Sequence, residues 1–407
     1  MRHSEKSTYM MRPRQVDIAP SKRWDLPVLL SYVIDWVFIV GIALIGYGFH
    51  TVTPNHRPFT LTDPSISFPY TEHETVPMTV AIVVALIVPA VIIVFVALVL
   101  VSGSRVPQDR ATVWRMKLWE WNAGWLGLGL AAAAAFMATE GLKNLYGRPR
   151  PDLLARCDPD LENIAAYVVG GLGGRVTGAP SVVSWEICKN TDKKMLQDGF
   201  VSFPSGHSSC GFPLSLFYCF TPLSVWVGLV LGDERAVLIG IYLVSFAGLT
   251  YLSLWLCAKF SIGFPYLAHS PFGQDLRRQR REAIRNLGAA PPVLLVILAF
   301  VPMAVAFFIA ASRFFNFRHH AFDIIFGSVM GMVFAWGAFR LYHLPIMRGG
   351  GWAWGARSRR HAFFKGIGLP SHIGGDDWSS MKDISQAEAS AAGQDIDLES
   401  APRNLAE

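Results

Sequence analysis

The chain has 407 residues, of which 52% are hydrophobic and only 16% charged, and its mean hydropathy is +0.34. That composition excludes an ordinary soluble domain and describes a polytopic membrane protein. The net charge of +6 reflects where Lys and Arg sit in loops and does not mark a nucleic-acid-binding face.

In chain order, apolar runs long enough to cross a hydrocarbon core of about 30 Å fall at about 26–49, 78–102, 122–142, 236–258, 290–311 and 322–345. A weaker seventh lies at about 211–232. The first 25 residues carry Arg2, Lys6, Arg12, Arg14, Lys22 and Arg23 without a short apolar core, so no cleavable leader is expected and the first span is expected to act as the signal anchor. The loop at 103–121 (Arg105, Arg110, Arg115, Lys117), the segment at 259–289 (Lys259, Arg277, Arg278, Arg280, Arg281, Arg285) and the start of the tail after 346 (Arg348, Arg357, Arg359, Arg360) are basic and belong on the cytosolic side. The loop at 50–77, whose one basic residue of that kind is Arg57, belongs outside the cytosol together with 143–205.

The expected organisation is therefore a cytosolic basic N-terminus (1–25), an all-α membrane domain (26–345) and a cytosolic tail (346–407). The tail is expected to be disordered from about 371, where Asp, Glu, Ser, Ala and Gly dominate. Cys157 and Cys188 share the non-cytosolic loop 143–205 and are candidates for a disulfide. Cys210, Cys219 and Cys257 sit in apolar runs as packing residues, and no CxxC or His/Cys cluster suggests zinc. No repeat of fixed period is visible.

Three separated stretches carry chemistry. In KNLYGRPRPD, Lys143 at the end of the third span and Arg150 before Pro151 flank a turn containing Gly147, which can aim two cations at one anion. In SFPSGHSS, Ser205 and Gly206 let backbone N–H groups approach a phosphate beside His207. In SRFFNFRHHAFD, His319 and Asp323 are four apart and are expected to share a helix face, so that the carboxylate holds the imidazole in one tautomer. Arg313 brings a planar guanidinium to the same point.

The pattern Lys-x6-Arg-Pro, Pro-Ser-Gly-His and Ser-Arg-x5-His-x3-Asp resembles the signature of the type 2 phosphatidic acid phosphatase superfamily, and the surrounding sequence resembles its fungal lipid phosphate phosphatase branch over about 26–345. The resemblance implies a six-helix membrane bundle of the kind this superfamily shares with haloperoxidases. It also implies a phosphatase that works through a phosphohistidine with no metal or organic cofactor. His319 would be the nucleophile and Asp323 its orienting partner, while His207 would protonate the leaving alkoxide and then activate water. Lys143, Arg150 and Arg313 would clamp the phosphoryl oxygens, with hydrogen bonds from Ser205 and Gly206. The partners implied are a lipid phosphate and the bilayer, with phosphatidate first among substrates; lysophosphatidate, diacylglycerol pyrophosphate and sphingoid-base phosphates fit the same clamp. Vacuole, Golgi, endoplasmic reticulum and plasma membrane all fit the topology, with the site on the luminal or extracellular side.

Two departures from the family pattern stand out. Asn316 occupies a place where relatives often carry Asp, outside the catalytic pattern, so tuning of activity is expected. The apolar stretch Cys210–Val244 interrupts the expected run from SFPSGHSS into SFAGLTYLSLWLCAKF, which begins at Ser245. His207 and Arg313 must face one side, yet three apolar runs separate them. The stretch therefore reads as a non-spanning segment or as a retained intron, and the second is expected; a spliced message encoding it at full abundance would exclude that reading. The rival readings are a phosphotransferase such as a phosphosphingolipid synthase, and an inactive scaffold or transporter. Spans expected to lack charge pairs, with no inverted repeat, speak against transport. Gly327 and Gly331 would permit close helix approach without specifying an oligomer.

Overall fold

The computed structural model describes residues 26–100, 110–205, 245–260, 262–263, 290–346, 351–355 and 357. The expected basic N-terminus, the stretch 210–244, most of the segment 259–289 that was expected to be cytosolic, the tail beyond 357 and both Gly206 and His207 lie outside the described residues.

Five helices among the described residues are long and apolar enough to cross a membrane: α1 (Leu26–Thr51), α2 (Thr79–Val99), the span Val113–Tyr146 within α3 (Arg110–Tyr146), and, further along the chain, α7 (Val293–Phe315) and α8 (Ala321–Tyr342). Between them lie two short helices, α4 (Leu153–Cys157) and α5 (Lys193–Asp198), and then α6 (Phe246–Lys259), the described part of the run expected at 236–258. α2 accommodates Pro89, which has no N–H to donate, directly after a wide π turn at Val83–Ile87.

α6 is the axis of the bundle. Twelve of its 14 residues are buried, as a helix apolar on every side requires, and it packs against α3, α7, α8 and α2. In lipid no hydrophobic force distinguishes helix from tail, so association rests on close packing. α8 presents a stripe of Gly327, Gly331 and Ala335 on the face below Asp323. α3 presents Gly124 and Gly127: a Cβ at Gly127 would fall 2.2 Å from the Tyr251 hydroxyl, and one at Gly124 would fall 3.2 Å from the Trp255 indole nitrogen. The aromatic residues of α6 fit because those positions carry no side chain. The opposite faces of the outer helices, including Phe38, Val91, Phe308 and Trp336, are exposed apolar surface for the hydrocarbon.

The all-α reading holds for the bundle, with one addition outside it. A small antiparallel sheet in the order β1–β3–β2, formed by β1 (Phe59–Thr60), β2 (Val168–Gly171) and β3 (Ser181–Val183), brings the first loop onto the third. Its valines favour strands but were too few to read as such in sequence. Phe59, Leu153, Val183, Ile187 and Phe200 form a second apolar core beneath it. Within that core Cys157 and Cys188 are joined as a disulfide, Cα–Cα 4.6 Å. This cap covers the bundle end at which α3 and α7 finish and α8 begins.

One expectation is corrected. The spans do hold a charge pair: Lys259 Nζ lies 2.6 Å from Glu120 Oε2, with side chains only 4% and 6% exposed. This removes one of the two arguments raised against transport. Charged groups this expensive in a membrane must be paired, and both ring faces of the cluster are aromatic, with Nζ 4.6 Å from the Trp352 ring and 5.3 Å from the Trp255 ring.

Candidate active site

The first stretch ends α3 and turns sharply. Gly147 has φ +56, and a Cβ there would lie 1.8 Å from the Asn55 carbonyl oxygen, so only glycine allows the turn. Lys143, before the turn, is 7% exposed and donates to Glu140 Oε1 at 2.7 Å. The other Glu140 oxygen lies 2.9 Å from His50 Nδ1. Arg150, after the turn, is 7% exposed and donates to Asp198 Oδ1 at 2.7 Å. The first stretch thus supplies two buried cations, each tethered by one acid.

The third stretch spans the α7–α8 junction. Arg313, in the last turn of α7, is 1% exposed and donates from Nη1 and Nη2 to the two oxygens of Glu74, at 2.8 and 3.0 Å. Arg318 lies 3.3 Å from the same carboxylate, donates to the Thr71 carbonyl at 3.0 Å, and stands 4.8 Å from the Tyr70 ring. Arg156 approaches that ring at the same distance and bonds Asp198 at 2.8 Å and Asp152 at 2.9 Å. Four guanidinium groups (Arg150, Arg156, Arg313 and Arg318) therefore face three carboxylates (Glu74, Asp152 and Asp198). Burial opposes the charge on Asp198, but Arg150, Arg156 and Arg318 outweigh it and hold the carboxyl at about 2. Glu74 is lowered in the same way, burial again overcome by Arg313 and Arg318.

His319 is 2% exposed, and its Nδ1 lies 2.7 Å from the Ser202 carbonyl oxygen. A carbonyl can only accept, so Nδ1 carries the proton and Nε2 presents its lone pair. Burial, reinforced by the charges of Arg150, Arg313 and Lys143, pushes the imidazole well below its ordinary value. The ring is neutral at physiological pH, the state a nucleophile needs.

The orienting role expected of Asp323 takes a different route. Helix α8 begins at Ala321 with His320 as its extended N-cap (φ −75, ψ 157), so His319 precedes the helix and does not share a face with Asp323. Asp323, fully buried, instead accepts from Arg148 Nη1 at 2.6 Å, from Ser202 Oγ at 2.5 Å and from the His320 backbone N–H at 3.2 Å. The carboxylate thus grips Ser202, and Ser202 through its carbonyl fixes His319. Ser205 is buried, its N–H donating to the Asp323 carbonyl at 3.1 Å. His207 and Gly206 follow it, outside the described residues.

The unfilled groups are mostly donors. Nε of Arg150, Arg156, Arg313 and Arg318 is buried without a hydrogen-bond partner, a costly condition in a protein interior. The Asp152 oxygens also lack a hydrogen bond, but that carboxylate is ion-paired with Arg156 at 2.9 Å. An excess of donors around a neutral imidazole suits a tetrahedral oxyanion. Of the residues expected from sequence, the structure brings Lys143, Arg150, Arg313 and His319 together; Arg148, Ser202, Arg156, Arg318, Asp152, Asp198 and Glu74 join the same cluster and were not among those expected. Arg148, Ser202, Asp152 and Arg318 were within or beside the motifs, while Glu74 and Asp198 had no local signal.

The chain matches the PAP2 superfamily model over residues 124–243 and 242–346. The two matches meet at the end of the Cys210–Val244 stretch. It is 27% identical over 315 residues to diacylglycerol pyrophosphate phosphatase 1 of Saccharomyces cerevisiae, covering 77% of this chain and 80% of that one. It is 26% identical to the probable diacylglycerol pyrophosphate phosphatase 1 of Schizosaccharomyces pombe, covering 77% and 81%. It is 24% identical to the probable lipid phosphate phosphatase 4 of Arabidopsis thaliana, covering 83% and 79%. No solved structure matches. With the family model covering more than half of its length, this multi-pass membrane chain belongs to the PAP2 superfamily.

Proposed function

We propose that this protein is a lipid phosphate phosphatase that hydrolyses phosphatidate to diacylglycerol and phosphate. The observation that carries the reading is the buried, neutral His319, its Nδ1 tied to a carbonyl and its surroundings supplied with unpartnered guanidinium Nε donors. Relatives named as diacylglycerol pyrophosphate and lipid phosphate phosphatases support the substrate class.

In this mechanism His319 Nε2 attacks phosphorus as the bond to the lipid oxygen breaks. His207 gives its proton to the leaving alkoxide, then takes one from the water that cleaves the phosphorus–nitrogen bond, each proton transfer worth about 10²–10⁴ in rate. Lys143, Arg150 and Arg313 neutralise the phosphoryl oxygens, and Ser205 and Gly206 add hydrogen bonds where charge builds. Asp323 holds the nucleophile through Ser202. The four-to-three ratio of guanidinium to carboxylate supports metal-independent charge neutralisation. The clamp reads phosphate and not acyl chains, so lysophosphatidate and diacylglycerol pyrophosphate are further substrates. The disulfide-bearing cap over the site supports a luminal or extracellular active site, away from the basic loops.

The test is phosphate release from phosphatidate in detergent micelles containing EDTA, for the full chain, for a version lacking 210–244, and for His319→Ala in each. Chelator-resistant release lost by at least 10³-fold in His319→Ala is expected. Release in the shortened version alone would mark 210–244 as foreign to the fold, and release that survives His319→Ala would reject the phosphohistidine.

A further inference from the structure

Glu74 lies outside all three motifs, in the loop between β1 and α2, yet it is the partner of the most buried clamp residue. A guanidinium offers two edges to an oxyanion, the tip (Nη1 and Nη2) and the side (Nε with one Nη). In Arg313 the tip is taken by Glu74 at 2.8 and 3.0 Å, whereas the buried Nε has no partner. A tip fixed by two charge-assisted hydrogen bonds cannot rotate, and it leaves the side edge as the one open to a ligand. The second guanidinium on Glu74, Arg318 at 3.3 Å, also has an unpartnered Nε.

The loop itself is anchored against the nucleophile-bearing turn at several points. The Phe68 ring stacks on Phe317 with centroids 4.8 Å apart. Thr75 Oγ1 donates to Asn316 Oδ1 at 3.0 Å, and Arg318 donates to the Thr71 carbonyl at 3.0 Å. Glu74 is therefore held in place by its own loop before it grips Arg313.

We propose that Glu74 is a positioning residue that completes the phosphate site from the first non-cytosolic loop, locking Arg313 so that its Nε edge meets the phosphoryl group. This rests on the site being a phosphate site. Two effects compete, since a carboxylate near a phosphate also repels it; the proposal is that orientation outweighs repulsion. Glu74→Asp separates them, because it keeps the charge but shortens the reach by one methylene, whereas Glu74→Gln keeps the reach and removes the charge.

The experiment uses the full chain in detergent micelles and compares wild type, Glu74→Asp and Glu74→Gln. Three quantities are read: the unfolding midpoint without ligand, the dissociation constant for orthovanadate, and kcat and KM for phosphatidate. Both variants are expected to keep their unfolding midpoint, bind orthovanadate at least tenfold more weakly, and lose 10- to 100-fold in kcat with KM changed less than threefold. Tighter orthovanadate binding by Glu74→Gln with wild-type behaviour in Glu74→Asp would make Glu74 a competing counter-charge and overturn the proposal. Wild-type constants in both variants, or collapse of the ligand-free midpoint in both, would overturn it too. A wild type that binds orthovanadate without releasing lipid phosphate would reject the phosphatase reading while leaving Glu74 to be judged on binding alone. A wild type that binds no orthovanadate would reject both.

Discussion

The two ends of the helix bundle each bury charge, and they do it differently. At the end away from the cap Lys259 meets one acid, Glu120, at 2.6 Å; the other Glu120 oxygen accepts from the Ala353 N–H at 2.8 Å. His343 beside them stacks on Phe339 at 4.9 Å, and burial together with the Lys259 charge lowers it to about 3, so it adds a neutral ring and no further charge. At the capped end four guanidinium groups meet three carboxylates, and all four Nε donors stay unpartnered. A closed pair balances its own desolvation and holds helices together. An open cluster carries an unfilled electrostatic demand that a ligand fills. The same residue types thus build a fastener at one end and, in the proposed reading, a phosphate site at the other.

The sharpest way to break this contrast is to remove one charged group from each end. Arg313→Ala should lower kcat/KM by about 10²–10³-fold, the usual cost of losing one preorganised donor to transition-state charge, with a small change in unfolding midpoint. Glu120→Ala should do the reverse, costing about 3–5 kcal/mol because Lys259 is left buried and unpaired, while the folded fraction keeps its KM. Replacing both partners, Glu120→Leu with Lys259→Met, should recover most of that stability. Thermal unfolding and steady-state kinetics on the same preparations decide the matter. Equal stability losses at the two ends would erase the distinction.

A smaller effect tests the scaffold of the open end. Gly147→Ala forces a side chain into φ +56 against the Asn55 carbonyl, at a backbone cost of about 1–2 kcal/mol before any clash. Displacing the turn that separates Lys143 from Arg150 should reduce kcat/KM about tenfold.

The pH profile sharpens the contrast further. Because the folded His319 binds its proton more weakly than an ordinary imidazole, the nucleophile stays proton-free from pH 7 down to well below 6.5. An acid limb of kcat/KM centred at or above 6.5 that persists in a His320→Gln control would contradict the neutral His319. The linked stability runs the other way: the unfolded chain takes up that proton below about 6.5, so stability falls as pH falls below that point. Asp198, held at about 2, adds stability above about 4 that is lost between 4 and 2.

The bundle was legible in the sequence because membrane spans announce themselves by length. Predicted runs at 26–49, 290–311 and 322–345 correspond to α1, α7 and α8 within a few residues. The third run, 122–142, proved longer: α3 continues back to Arg110, beyond the apolar stretch, through Trp114, Arg115 and Lys117. The motifs singled out Lys143, Arg150, Arg313 and His319 because the proposed phosphate chemistry needs cations and an imidazole at fixed spacing, and the fold gathers these four. What spacing cannot convey is where a helix begins. One residue of N-cap at His320 was enough to take His319 off the face of Asp323 and to route its orientation through Ser202. Glu74 and Asp198 were illegible for another reason, since each reaches its arginine across 239 and 48 residues through loops whose path only the fold sets.

Asn316 should show the smallest effect. It is 2% exposed, and its Oδ1 accepts from Thr75 Oγ1 at 3.0 Å, so it ties the Glu74 loop to the turn before His319. Its Nδ2 is buried without a partner. Asn316→Asp keeps the acceptor for Thr75 and removes that orphaned donor, which favours the variant, but it buries a charge beside Glu74, which disfavours it. The neighbouring arginines outnumber the acids, so part of that charge is compensated, and the two effects oppose one another in the same small range. The expected outcome is less than a tenfold change in kcat/KM with the Arg313→Ala loss undiminished in the double variant. A hundredfold loss from Asn316→Asp alone would mean that the open end has no charge to spare, and that its excess of guanidinium is already balanced without a phosphate.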